Sequence, residues 1–448
     1  MDSRLVCFGS ACMSKFLGID LFTNKFQNMS FKKNLFVILC GLFLVMVGFG
    51  ITLPVLPFYI QRISTNEGIS LMKVWLHVGL ITGAYPFMQF LFSPYIGSLS
   101  DKIGRRPLIL YGLAGYSVSI FLFSISGSLL FLYIFRLLSG IFSAAFLIAS
   151  SAYIADNTTE KERGGGMSLL VSVAGLGAVA GPLIGNLFSK VNFTIGQFTL
   201  NQFSLPFSIS AFLVLLVFVF LFFALSESKR NNTYEIVNPK RTEKASVFAV
   251  LKTLKKSFIF LLFLSFVSQL SLAMFEGTFA LHSQRLFSFG PKQMSLVFIV
   301  CGSVMGLLQL GPVAWLIKKI GENAILPYGL LLLGIGMALL MSSNKMEFIL
   351  LFVSIVSVGM AILTPCLASL ITKDSGINYG TSLGIFSSVN SLGQMLGVII
   401  GSVMMIWFVH LPYFIISIIL FAVAFLSIRK FRFYSGLINN KPRIERNE

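Results

Sequence analysis

Residues Gly97 to Arg106 read GSLSDKIGRR, a short stretch rich in small and charged residues between two long apolar runs. Gly97 and Gly104 allow close approach and a tight turn. Asp101 can accept hydrogen bonds or face a helix N-terminus, and Arg105 and Arg106 can pair with carboxylates or lipid phosphates. A basic pair alone is ordinary loop decoration; the joint spacing of two glycines, an acid and two arginines is not. The flanking sequence explains the setting. Of 448 residues, 56% are hydrophobic and 11% charged, against about 25% charged in a soluble domain. Each hydrocarbon crossing needs about 20 apolar residues. Twelve such runs appear, the first from Leu35 to Ile60, the eighth from Met294 to Ile317 and the last from Pro412 to Ile428. The chain reads as a multi-pass membrane protein.

Charge placement sets the expected orientation. With both termini cytoplasmic, 27 of the 34 Lys and Arg fall on that side, six fall outside and Arg136 lies within a span. This is the positive-inside pattern. It accounts for the net charge of +18 by topology and anionic lipid, with no nucleic-acid partner. The inner-leaflet basic surface fits a bacterial plasma (inner) membrane. Cys7, Cys12, Cys40, Cys301 and Cys366 are scattered, without metal-site spacing, so neither disulfides nor a metal is expected. No GxxxxGK[ST] nucleotide loop occurs and no cofactor is implied. Residues 1–34 lack the apolar core and cleavage site of a signal peptide. They read as a cytoplasmic arm, with Met29 as an alternative start.

The sequence repeats itself. GSLSDKIGRRPLI from Gly97 aligns with AWLIKKIGENAIL from Ala314, an offset of 217 that matches Gly104 to Gly321. Separately, Gly177, Gly181 and Gly185 in the fifth run match Gly393, Gly397 and Gly401 in the eleventh at an offset of 216. Such agreement between independent stretches points to two similar halves, as in many carriers. The expected organisation is an arm at 1–34, a first bundle at 35–226, a basic cytoplasmic linker at 227–257, a second bundle at 258–428 and a basic tail at 429–448. Within the linker, Val247, Phe248, Leu251 and Leu254 share one helical face, as in an interfacial helix or a calmodulin-type target.

Two buried charges stand out. Arg136 lies about seven residues into the fourth run, where a lipid-facing guanidinium is costly. It must face a cavity or an acidic partner, or else cap backbone carbonyls. Glu276, in SLAMFEGTFAL, is the one carboxylate well inside a run. Low dielectric disfavours the charged form of an isolated acid, which suits a proton or cationic-substrate site. The plainer reading is a structural hydrogen bond near the outer rim. Gln89, Asn390 and Gln394 are candidate cavity-lining polar groups, with Tyr59, Tyr85 and Phe275 as candidate aromatic walls. His77, His282 and His410 read as interfacial. The glycine stripes offer flat faces for close helix packing, and Pro182 adds a kink.

These features resemble the major facilitator superfamily, and within it the 12-helix drug:proton antiporters. Gly97, Asp101, Gly104, Arg105 and Arg106 match the signature loop. Arg136 and Gly140 in RLLSG resemble the fourth-helix motif. Gly177, Gly181, Pro182 and Gly185 resemble the antiporter motif, and GFGITLPVLP from Gly48 resembles the first-helix pattern. The resemblance implies an all-α membrane protein with 12 transmembrane helices in two pseudo-symmetric six-helix bundles, functional as a monomer. It implies proton-coupled export of small amphipathic or lipophilic compounds by alternating access, and not enzyme catalysis. Uptake or export of a specific metabolite such as an amino acid, sugar or siderophore is the alternative. The signature loop is then a latch closing the cytoplasmic side when the cavity faces outward, with Asp156 and Arg163 as partners, and Arg136 takes part in proton coupling. The second copy departs from the pattern: Lys318 stands at the position of Asp101 and Glu322 at that of Arg105, so a second latch needs different partners.

Overall fold

The computed structural model describes residues 29–156, 169–170, 173–178, 180–182, 184, 193–195, 198–200, 203–225, 256–309, 311–374 and 379–439. They form α1 (Met29–Thr52), α2 (Leu56–Asn66), α3 (Leu71–Ile103), α4 (Arg105–Ile125), α5 (Leu129–Asp156), α6 (Leu205–Ala224), α7 (Lys256–Phe287), α8 (Pro291–Gln309), α9 (Pro312–Ile320), α10 (Glu322–Leu339), α11 (Met346–Asp374), α12 (Tyr379–Trp407) and α13 (Leu411–Asn439). A small antiparallel hairpin, β1 (Phe193–Ile195) and β2 (Phe198–Leu200), pairs Thr194 with Thr199 between the fifth and sixth crossings. Strands of three residues carry too little periodicity to read from sequence. Arg163, Gly185, most of the linker and the outer parts of both terminal segments lie outside the described residues.

Eleven of the described helices are long and apolar enough to cross a membrane, and the shorter apolar helix Val173–Pro182 stands where the fifth crossing is expected. Two expected crossings are broken by proline. Pro54 interrupts the first between α1 and α2, and the Gly311-Pro312 step separates α8 from α9, because a residue before proline is pushed out of the helical region. Helices also overrun their apolar segments: α1 starts at Met29 and α13 continues through Arg429 and Lys430. Helical hydrogen bonding persists after the hydrocarbon requirement has ended.

Packing follows the repeat. One core gathers first-half residues such as Ile38, Ile60, Tyr116, Phe146 and Phe207; the other gathers Phe258, Phe275, Leu326, Val356 and Tyr413 from the second half. The glycine stripes serve matched contacts. A methyl added at Gly181 meets Gly50 Cα at 2.5 Å, and one at Gly177 meets the Phe43 carbonyl at 2.5 Å, so the fifth-crossing segment lies directly on α1. Gly393 lies as closely on Phe266, Gly397 on the Leu270 carbonyl and Gly401 on Met274, so α12 lies on α7 in the same way. The second contact lies six crossings after the first, as pseudo-symmetry requires. Because Leu270 opposes Gly397 with backbone, no rotamer change relieves a larger residue. Gly397→Val is therefore expected to cost about 1–3 kcal/mol by overpacking and to lower the melting temperature of the purified protein. Gly384→Val, at an open position on the same helix, is the matched control and is expected to leave it unchanged.

The seam between halves is asymmetric along its length. Away from the Gly97–Arg106 loop, α3 and α12 touch: a methyl on Gly79 meets Ser402 Cβ at 2.5 Å and one on Gly83 meets Ile399 Cγ1 at 2.9 Å. Arg285 of α7 stacks on Trp75 of α3 at 4.8 Å across that end. Leu281 and Met405 there join the first-half core, and Phe58 joins the second. At the loop end, methyls added at Gly97 of α3 or Gly384 of α12 meet nothing within 4 Å, so the close approach of the two helices lies at the other end.

Candidate transport site

Arg136 is carried inward by α5 and is 4% exposed. Gly140, one turn further on, allows that position, since a methyl there meets the Tyr85 carbonyl at 2.5 Å and Met88 Cβ at 2.9 Å. The close approach of α5 to α3 lays the guanidinium over the Tyr85 ring at 4.8 Å. Tyr116 of α4 lies within electrostatic reach on another side, and Phe49 stacks on Tyr85 with ring centres 6.2 Å apart. Gln89 Nε2 donates to Ser143 Oγ at 3.0 Å, one turn along the same interface. Three sequence candidates, Arg136, Tyr85 and Gln89, thus come together. Among the described residues no carboxylate forms an ion pair with Arg136, and its Nε has no hydrogen-bond partner. The cation lies over the Tyr85 face, with no counter-ion among the described residues.

Glu276 sits on α7 in the other half. It is partly exposed, lies within electrostatic reach of Cys301 on α8, and belongs to none of the three ion pairs of the described residues. Asn390 accepts a hydrogen bond from Ser265 Oγ, fixing a polar patch between α7 and α12, and Gln394 lies one turn further along α12, partly buried. Gln269 Oε1 is buried in the same seam without a partner. Gln269, Tyr116 and Ser143 escaped the sequence reading because single Gln, Tyr and Ser residues within apolar runs are common. Only their convergence on Arg136 or on the α7–α12 seam distinguishes them.

Two aromatic candidates move to the cores. Tyr59 is 3% exposed and its hydroxyl donates toward the Phe123, Ser124 and Ser126 carbonyls at 2.9–3.1 Å, closing the end of α4. Phe275 is fully buried between Phe279 and Phe298. Neither offers a cavity surface in this conformation; the unsatisfied carbonyls at a helix end and the second-half core claim them. His282 is likewise not interfacial: it is completely buried, with Nε2 3.1 Å from His410 Nδ1.

The signature loop is knit within the first half. Arg105 reaches Asp101 at 2.6 Å and Asp156, at the end of α5, at 2.8 Å, and donates to Ser100 Oγ at 2.8 Å. Arg106 Nη2 donates to the Phe222 carbonyl of α6 at 2.8 Å. Gly104 turns the chain between α3 and α4 at φ 94°, in the left-handed region that glycine tolerates. Asp101, Arg105 and Asp156 are thus joined by ion pairs beside the Gly104 turn, and Arg106 ties the same loop to α6. The Glu322 copy makes its own contacts, with Lys373 Nζ at 2.7 Å and Ser369 Oγ at 2.6 Å.

Two similar bundles in close contact along α3 and α12, each carrying a membrane-depth charge with no ion pair among the described residues, have the architecture of a membrane solute carrier. Comparison with known proteins gives the family. The Major Facilitator Superfamily model matches residues 38–377 and again 261–445, and the chain belongs to that superfamily. It is 28% identical over 392 residues to Multidrug resistance protein 1 of Bacillus subtilis (strain 168), covering 87% of this chain and 94% of that one. It is 24% identical over 401 residues to the Quinolone resistance protein NorA of Staphylococcus aureus (strain MSSA476), covering 89% and 97%. The fold is shared with the human organic anion transporter MFSD10 (TM-score 0.66, 23% identity, 90% of this chain and 100% of that one). It is also shared with a D-xylose-proton symporter (TM-score 0.70, 14% identity, 88% and 96%).

Proposed function

We propose that this transporter exports small amphipathic or lipophilic compounds in exchange for protons. The observation that carries the reading is Glu276: a carboxyl inside a membrane helix, partly exposed and in no ion pair among the described residues. An intramembrane acid is retained at a cost of a few kcal/mol, and a site that alternately takes up and releases a proton supplies a reason. The names of the relatives in Bacillus subtilis and Staphylococcus aureus support drug-like cargo and export.

With the termini on the cytoplasmic side, as the basic residues favour, the loop end of the seam faces the cytoplasm. Cargo enters from there or from the inner leaflet. The α3–α12 contact at Gly79 and Gly83 then parts while the loop end closes and the Asp101–Arg105 latch docks. A proton arriving from outside neutralises Glu276, cargo leaves outward, and the carrier returns. Arg136, with no ion pair among the described residues, takes part in proton coupling from the first half. The test is accumulation of a fluorescent lipophilic cation in cells with and without the protein. Expression is expected to lower accumulation severalfold, and a protonophore to erase the difference. Unchanged accumulation in expressing cells rejects broad export.

A further inference from the structure

The offset of 217 that aligns the two loops also carries Asp156, the anchor of Arg105, onto Lys373, the residue found on Glu322. The first-half set Asp101, Arg105, Asp156 is negative, positive, negative; the second-half set Lys318, Glu322, Lys373 is positive, negative, positive. All three signs are reversed together. The inversion leaves opposite charges facing each other at the central pair of each half, Arg105–Asp156 and Glu322–Lys373.

The geometry agrees. The central side chain is 16% exposed in both halves, Arg105 in one and Glu322 in the other. Its anchor lies at 2.8 Å in the first half and 2.7 Å in the second, each time at the loop end of the next helix along the chain, α5 or α11. A serine hydroxyl completes each centre: Ser100 accepts from Arg105, and Ser369 donates to Glu322. Donor and acceptor are exchanged there too, as an anion in place of a cation demands. The turns match, with φ 94° at Gly104 and 92° at Gly321. The outer member of each set, Asp101 or Lys318, remains exposed.

We infer that Lys318, Glu322 and Lys373 form a second, charge-inverted latch, in which the Glu322–Lys373 pair positions the α9–α10 loop against α11 so that the second half closes the loop end as one body. Its exposed cation presents the opposite charge to that of Asp101, so the two latches dock on different chemistry. The inference rests on the alternating-access reading above, and it makes Glu322 and Lys373 positioning residues that need not touch cargo.

The test uses the full-length protein with its native cysteines replaced and a reporter pair, Gly97→Cys with Gly384→Cys. These positions are open here and approach when the loop end closes. Glu322→Lys is expected to slow reporter cross-linking about fivefold, the effect of losing a partly exposed ion pair and gaining a like-charge contact. Glu322→Arg with Lys373→Asp, which re-forms the central pair with its charges exchanged, is expected to restore it. Lys373→Met removes the partner without repulsion and serves if Glu322→Lys does not accumulate; slowing of about twofold is expected. Parental cross-linking in the single variants, or a double variant as slow as the singles, overturns the inference. The reporter reads conformation and not cargo: slowed and rescued cross-linking in a protein that exports no lipophilic cation would sink the proposed cargo and leave the latch standing.

Discussion

Glu276→Gln is expected to reduce proton-gradient-driven export at least tenfold in proteoliposomes, with normal amounts of folded protein. Glutamine keeps the shape and hydrogen-bonding reach of the protonated acid but cannot release a proton. A carrier fixed in that state can still exchange cargo for cargo, because exchange needs no net proton movement. Downhill counterflow of labelled cargo should therefore persist while uphill transport is lost. Because Glu276 takes part in no ion pair among the described residues, neutralising it leaves no buried basic group stranded, and the melting temperature is expected to stay within a few degrees of the parent's. Full uphill transport by Glu276→Gln removes this residue from proton coupling. Loss of both uphill transport and counterflow with a normal melting temperature assigns it to cargo binding instead. A large fall in melting temperature supports the structural hydrogen bond considered from the sequence.

Much of this architecture was legible in the amino-acid order because the membrane simplifies the reading. Hydrocarbon demands long apolar runs with internally satisfied backbone, so the crossings stand out, and the duplicated loop and stripe reveal the two halves. The breaks at Pro54 and Gly311-Pro312 were readable in principle from the proline rule. Hydropathy does not change across them, so an apolar-run reading joins the pieces on either side. The site was legible where a charge is expensive: Arg136 and Glu276 announce themselves by being in lipid-depth helices at all. Aromatic residues gave no such signal. Tyr59 and Tyr85 look alike in sequence, yet one closes a helix end with its hydroxyl and the other supports a cation with its ring. The difference lies in which helix each meets, and contacts between distant segments are not written in local pattern. The second loop was half legible. Its reversed signs were visible at Lys318 and Glu322, but the residue that makes sense of them, Lys373, lies 51 positions from Glu322.

Arg136 gives the second large effect. Arg136→Leu is expected to abolish proton-driven export and yet leave the melting temperature within a few degrees of the parent's. Desolvating an unpaired guanidinium in a membrane helix costs about 3 kcal/mol, while stacking on Tyr85 at 4.8 Å returns about 2 kcal/mol where water is excluded. The two nearly cancel, so the fold gains little from the charge, and its retention calls for a role in transport. Were Arg136 a structural cap on carbonyls, removing it would strand those groups and lower the melting temperature markedly; that outcome, with residual transport, defeats the coupling role. Arg136→Lys sharpens the test. Lysine keeps the charge but loses the flat face that matches Tyr85, so export is expected to fall about tenfold. Tyr85→Phe, which keeps the ring and removes only the hydroxyl, is expected to retain most of it. Wild-type export by Arg136→Lys would mean that charge alone suffices and that the stacked geometry over Tyr85 has no part in coupling.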